Sequence, residues 1–405
     1  MKSLNTLKFL FVIVSIVFLS LSCKENPSSS DVDLGISPVS NADARSSYTY
    51  SKTDILVDYS PLSGTYWNFS QPEGPPEGLL WDAIAYLDSN GEGLTDVFMG
   101  TGAYLSHDEV ACVLFINDGS GNFTPSTAEF NDNMPPATHA RKSIVSDFTN
   151  NGLLDILVLD HGYDSDPFPG SNPKLILQNS VGSFSWSKLT DQTGFHHAGA
   201  AADIDNDGDI DIFIAGLDPF FYVNDSSGNF TKTDDRFDHS IDKIFAAELI
   251  DVDKDGFIDL LVGAHEQDGD ETSIYWGNSN GSYNSSLRTI LPAFTNFGTI
   301  LDIEAEDVEG DGDRDLIIQR VGGGNDNFYA GGKIQLLIHD GNRGFTDKTQ
   351  QFENPDDDFA SWNTAWLRGQ DIDSDGDIDF FFDDRNMGVV YINDGNGNFT
   401  QTYSE

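Results

Sequence analysis

Cysteine is almost missing from this 405-residue chain, which has two, Cys23 and Cys112. Basic residues are also scarce, with 21 Lys and Arg against 67 Asp and Glu and a formal net charge of −46. That balance excludes nucleic acid and anionic lipid surfaces as partners, since both require a basic face. A milder consequence of the same charge is solubility. The chain also lacks a nucleotide-binding glycine loop, an H-E-x-x-H zinc pair, a G-x-S-x-G elbow and a C-x-x-C pair, so no sequence motif assigns a catalytic residue. Enzymatic chemistry would have to rest on geometry.

Only one long apolar run exists, residues 9–21, and it is too short to span a bilayer comfortably. Lys2 and Lys8 precede it and Leu19-Ser20-Leu21-Ser22-Cys23 resembles a lipoprotein processing site, so residues 1–22 read as a signal peptide and Cys23 as the lipidated first residue of the mature protein. The alternative is an ordinary cleaved signal with an incidental cysteine. Residues 23–45 are polar and serine-rich, a flexible tether. Lys24 and Glu25 directly after the cysteine resemble the short charged signals that send lipoproteins of some Gram-negative bacteria to the outer surface, so the expected location is a bacterial outer membrane, facing the cell surface, with the lipid as the only membrane contact. Lipid on Cys23 leaves Cys112 alone and removes any intramolecular disulfide, so stability has to come from elsewhere. Residues 46–80 are aromatic and turn-rich. They can supply a reduced blade or strands that close a ring.

What the chain has in abundance is one repeated loop. Residues 203–211 read D-I-D-N-D-G-D-I-D, with carboxylates at positions 1, 3, 5 and 9 and glycine at position 6. Alternate side chains of a tightly curved loop can converge on one point, and oxygen donors in that number suit a hard divalent cation such as calcium. Copies begin at Asp88, Asp147, Asp251, Asp307 and Asp371. The candidate ligands are therefore Asp88, Asn90, Glu92 and Asp96; Asp147, Thr149, Asn151 and Asp155; Asp203, Asp205, Asp207 and Asp211; Asp251, Asp253, Asp255 and Asp259; Asp307, Glu309, Asp311 and Asp315; and Asp371, Asp373, Asp375 and Asp379. The loop at Asp147 keeps only two carboxylates and should bind most weakly. An EF-hand needs Glu at position 12, where these copies have Met99, Val158, Ile214, Val262, Ile318 and Phe382. Each loop instead runs into a short apolar stretch that reads as a buried strand.

These loops resemble the FG-GAP repeats, also called VCBS repeats, of the integrin α-chain propeller and many bacterial surface proteins. The resemblance covers roughly residues 80–405. It implies an all-β propeller with calcium loops on one face, up to six structural Ca2+ ions, and ligation by positions 1, 3, 5 and 9; it does not imply one activity. A second signature, N-D-x-x-G-N-F-T, recurs at residues 117–124, 224–231 and 393–400, with looser versions in the other repeats, and marks a tight hairpin. Each repeat then reads strand, calcium loop, strand, connection, strand, hairpin, strand, which is one four-stranded blade. Six blades are recognisable within residues 46–405, and seven if residues 46–80 form a reduced one.

Strand polarity places the calcium loops and hairpins on one face and the long, dissimilar connections on the other, at residues 102–111, 160–173, 265–272, 321–332 and 347–363. Variable loops on a fixed scaffold are where binding is usually built. His139, Arg141, His196, His197, Trp362 and Asn363 stand where first strands begin, and His161, His265, Arg320 and Arg385 where second strands end. In so acidic a chain this basic, aromatic-bearing set suits a carboxylate-bearing sugar, with Tyr163 or a histidine as base should the site be catalytic. The expected function is a calcium-stabilised, monomeric surface module that binds glycan or protein. The alternatives are a lyase or hydrolase acting on polysaccharide and a structural subunit of a surface complex.

Overall fold

The computed structural model describes residues 80–102, 107–120, 123–164, 166–322, 330–352, 367–373, 375–382 and 389–403. Cys23, residues 46–79, Trp362, Asn363 and Arg385 lie outside them. Among the described residues no helix is long and apolar enough to cross a membrane.

Six four-stranded antiparallel sheets follow one another along the chain as the blades of a β-propeller. The first strands are Leu80–Leu87, Ala140–Ser146, His196–Ala202, Ala246–Ile250, Thr299–Glu306 and Leu367–Gln370. Each leads through an acidic loop into a second strand that starts on the position-9 aspartate: Asp96–Gly102, Asp155–Asp160, Asp211–Gly216, Asp259–Gly263, Asp315–Gly322 and Asp379–Phe382. Third and fourth strands complete each sheet through the expected hairpin, as in Val389–Asn393 and Phe399–Tyr403 of blade six.

After the position-9 aspartate each second strand runs through a short apolar stretch, because neighbouring blades cover both of its faces. Core clusters lie between successive blades, for example Phe213 and Phe221 of blade three against Leu249 and Leu260 of blade four. Blade six meets blade one where Arg368 donates to the Ile84 carbonyl at 3.5 Å and lies over the Tyr86 ring. Lys142 of blade two reaches the Ala247 carbonyl of blade four at 3.2 Å and stands 3.9 Å from Glu248, so polar side chains cross the centre of the ring.

The hairpin signature acts between blades. The Asn224 side-chain amide donates to the carbonyl of Phe148, at loop position 2 of the preceding blade, at 2.8 Å, and Asn393 does the same to Val308 at 2.9 Å. Gln178 performs this role toward Ser89. Each side-chain carbonyl of Asn224 and Asn393 in turn accepts amides of its own hairpin, so one residue fixes the turn and latches it to its neighbour.

Candidate functional site

The two ends of the blades carry different chemistry, and register defines them. In blades two, three and four, Ser146, Ala202 and Ile250 pair with Asp155, Asp211 and Asp259 at the acidic end, whereas Ala140, His196 and Ala246 pair with Asp160, Gly216 and Gly263 at the other.

At the acidic end the loops are built by their own carboxylates. The position-1 aspartate accepts the amides of positions 5 and 6 in every copy, as Asp203 does from Asp207 and Gly208 at 3.0 and 2.9 Å. Position 6 takes a positive φ, 94° at Gly208, which only glycine adopts without strain. The position-9 aspartate is buried and ties the loop to the third strand: Asp259 accepts Val252 N and Gly277 N, Asp315 accepts Val308 N and His339 N, and Asp379 accepts Ile372 N and Asn393 N, at distances of 2.8 to 3.1 Å.

These loops concentrate negative charge that basic side chains offset only in part. Burial pushes Asp155, Asp211 and Asp315 up to about 7, Asp259 to about 8 and Asp379 to about 6, against the lowering effect of the amides they accept. Ligand atoms of Asp203, Asp205 and Asp207, of Asp251, Asp253 and Asp255, and of Asp371, Asp373 and Asp379 lie within 4.8 Å of one another. In blade three, Asp205 Oδ1 and Asp211 Oδ2 are buried with no hydrogen-bond partner. Converging carboxylate oxygens, with Asp205 of the converging set holding an orphaned one and Asp211 at position 9 of the same loop another, fit a hard divalent cation. Arginines already serve some loops: Arg236 contacts Asp205 at 2.7 Å, and Arg343 contacts Asp253 and Asp255 at 2.5 and 2.8 Å. In the loop at Asp88, Asn90 and Glu92 hydrogen-bond to each other at 2.9 Å. In the loop at Asp147, Asn151 donates to the Gln178 carbonyl and accepts from Leu153 N, so its amide serves the fold.

At the opposite end three histidines come together. The His139 and His161 rings are 4.1 Å apart edge to face, and His161 stacks on Phe195 at 4.6 Å and lies parallel to His197 at 6.0 Å. His197 then meets Phe245, and Phe245 meets His265. Phe168, 43% exposed, packs edge-on against Phe195, and Tyr163 pairs with His107 at 4.0 Å. Burial holds the imidazoles neutral, lowering His161 to about 3 and His139 and His197 well below their ordinary value, and the Arg141 guanidinium acts in the same direction on all three.

Local backbone explains how two of these side chains are aimed. Arg141 and His197 are the extra residues of β-bulges, because Ala140 pairs with Asp160 but Lys142 with Leu159, and His196 pairs with Gly216 but Ala198 with Ala215. A bulge breaks the in–out alternation and redirects one side chain. Beneath the cluster sits Asp160, fully buried, which accepts the amides of Thr138, His139 and Gly162 and the Ser171 hydroxyl at 2.8 to 3.0 Å. Lys174, equally buried, lies 3.4 Å from it. Sequence reasoning missed Asp160, Lys174 and the aromatic partners Phe168, Phe195 and Phe245. Their signal, polar or aromatic residues next to the histidines, was visible only as ordinary strand and loop composition.

Three residues expected in this set stand apart. Arg320 is 0% exposed, and its five N–H groups are spent on Gln335, both oxygens of Glu266 and the carbonyls of Phe297 and Pro292. It braces blade five against the turn Glu266–Asp268 and has no donor left for a ligand. His265 is held within that turn by Asp268 and Gln267. His196 points away, its ring against Phe220, and burial lowers it to about 4.

A model of the FG-GAP-like repeat matches residues 147–214 and 251–318. None of the curated proteins compared matches the chain. Among solved structures, it is similar to an Agrocybe aegerita lectin described for specific recognition of non-reducing terminal N-acetylglucosamine, at 16% identity over 78% of this chain and 79% of that one, with a TM-score of 0.43. It is similar to the biofilm matrix protein Bap1 of V. cholerae at 17% identity over 64% of this chain and 38% of that one, with a TM-score of 0.40. An exo-beta-1,3-galactanase from Clostridium thermocellum is 10% identical over 80% and 83%, with a TM-score of 0.38. The chain thus carries FG-GAP-like repeats within a six-bladed β-propeller.

Proposed function

We propose that this protein is a calcium-stabilised surface module that binds an acidic glycan at the end of the propeller opposite the aspartate loops. The observation that carries the reading is the convergence of Arg141, His139, His161 and His197 with Phe195 and the exposed Phe168. A guanidinium pairs with a sugar carboxylate, neutral imidazoles donate to and accept from hydroxyls, and an exposed ring stacks on a pyranose face. The acidic loops support a stabilising role for calcium at the other end. A glycan array probed with the full chain in calcium, beside assays for new reducing ends and unsaturated uronate, tests this. Binding to uronate-bearing glycans without product supports it. Product formation would make the protein an enzyme, and absence of binding together with a stoichiometric co-purifying protein would make it a structural subunit.

The same reading places the module on a membrane through lipid on Cys23. Cys23→Ala is expected to move the protein to the soluble fraction; retention in the membrane pellet would rule out this anchor.

A further inference from the structure

The geometry points to a transition-metal site formed by His139, His161 and Asp164, chemically distinct from the aspartate loops and at the opposite end of the blades. One ligand atom from each of the three lies within 4.8 Å of the others. Two imidazole nitrogens and one carboxylate oxygen form the donor set of first-row divalent ions such as zinc, whereas calcium takes oxygen almost exclusively.

The support beneath these side chains matches what metal-binding histidines require. His161 Nδ1–H donates to the Gly162 carbonyl at 2.9 Å, which leaves Nε2 carrying the lone pair, and a carbonyl bonded to the ring in this way fixes both tautomer and ring orientation. The backbones of the two histidines are joined by His161 N donating to His139 O at 3.1 Å, and Asp160 holds His139 N and Gly162 N. Gly162 has φ +74°, and a Cβ there would meet Gly170 C at 2.4 Å, so the turn that presents His161 is packed closely enough to admit only glycine.

Asp164 is exposed, on the connection that follows blade two's second strand, and supplies the third ligand atom. Tetrahedral zinc draws its donors to about 3.3 Å from one another, a contraction that an exposed carboxylate can supply. Three protein ligands leave a coordination position open. Arg141 acts electrostatically on both histidines and on Asp164, and its charge disfavours a bare cation there. Asp164 and an anion in the open position offset it, so an anionic ligand should tighten the metal.

The site shares His139 and His161 with the proposed glycan face, so the test uses the full chain in saturating calcium, in which the aspartate loops hold their preferred ion, and no glycan, which reads metal binding apart from glycan binding. Cobalt(II) is titrated and followed by visible absorption. The expected result is one equivalent giving the intense bands of low-coordinate, nitrogen-ligated cobalt, displaced by zinc. Affinity should fall about 100-fold in His161→Gln and at least about 10-fold in Asp164→Asn, since loss of even a group that only orients a ligand costs about 10–100-fold. Should His161→Gln fail to fold, Asp164→Asn decides, because its side chain is exposed. No such bands, or unchanged affinity in Asp164→Asn, would overturn the site.

Discussion

An aspartate at position 9 of each loop does two things that look alike in the sequence. Read as letters, Asp259 and Asp255 are both candidate ligands. In the fold Asp255 is exposed on the loop, while Asp259 is fully buried and accepts two backbone amides that join the loop to the third strand. Removing the acceptor would leave two buried amides unsatisfied, at about 1–3 kcal/mol each, so the position-9 residue is a structural staple with or without a metal. Asp259→Ala is therefore expected to lower stability by about 3 kcal/mol even in excess chelator. Asp255→Ala should be nearly neutral in chelator and destabilising only in calcium. Equal effects of the two substitutions in chelator would contradict this division. Arg320 teaches the same lesson: placed correctly at a strand end by sequence, it proved to be a brace because Glu266 and Gln335, distant in the chain, consume its donors.

At the scale of the element, the acidic loops make stability depend jointly on pH and calcium. The position-9 carboxyls have folded pKa values of about 6 to 8, raised by burial above an unfolded value near 4. Between about pH 4 and 8 the folded state binds more protons than the unfolded one, so without metal these groups remove stability as pH rises through that window. The buried histidines act oppositely. His161 and His196, lowered to about 3 and 4, contribute stability that is complete above pH 6.5 and is lost on acidification. From pH 6.5 to 8 the carboxyl effect therefore stands alone. In chelator the melting temperature should fall over that interval. In calcium, which displaces the protons, it should stay level, and loading each site to ten times its Kd adds about 1.4 kcal/mol. A chelated protein with a flat profile from pH 6.5 to 8 would contradict the protonation account. The bulges at Arg141 and His197 belong to this scale too. They were illegible in the sequence, because a bulge inserts a residue into the strand without altering the composition that identifies the strand.

The whole molecule was legible to the extent that it repeats. Six loops in register, six apolar second strands and the N-D-x-x-G-N-F-T hairpins specify blades, their order and which end faces which way, because antiparallel connection alone fixes polarity. What the sequence left open depends on proximity between blades: the latch from Asn224 to Phe148, the Lys142 crossing to Ala247, and the choice of His139, His161 and His197 over His196 and His265 as the converging set. Separation of duties between the two ends is the central claim, and one comparison addresses it. Glycan binding and melting temperature are measured in calcium for the native chain, for Phe168→Ala at the ring cluster and for Asp207→Asn in an aspartate loop. Phe168 is exposed and Asp207 is remote from the cluster along the strands. The account predicts that Phe168→Ala loses binding by about 10-fold or more, the worth of about 1.4 kcal/mol of stacking, at unchanged melting temperature, and that Asp207→Asn lowers the melting temperature by a few degrees with binding intact. Binding lost in Asp207→Asn and retained in Phe168→Ala would contradict it.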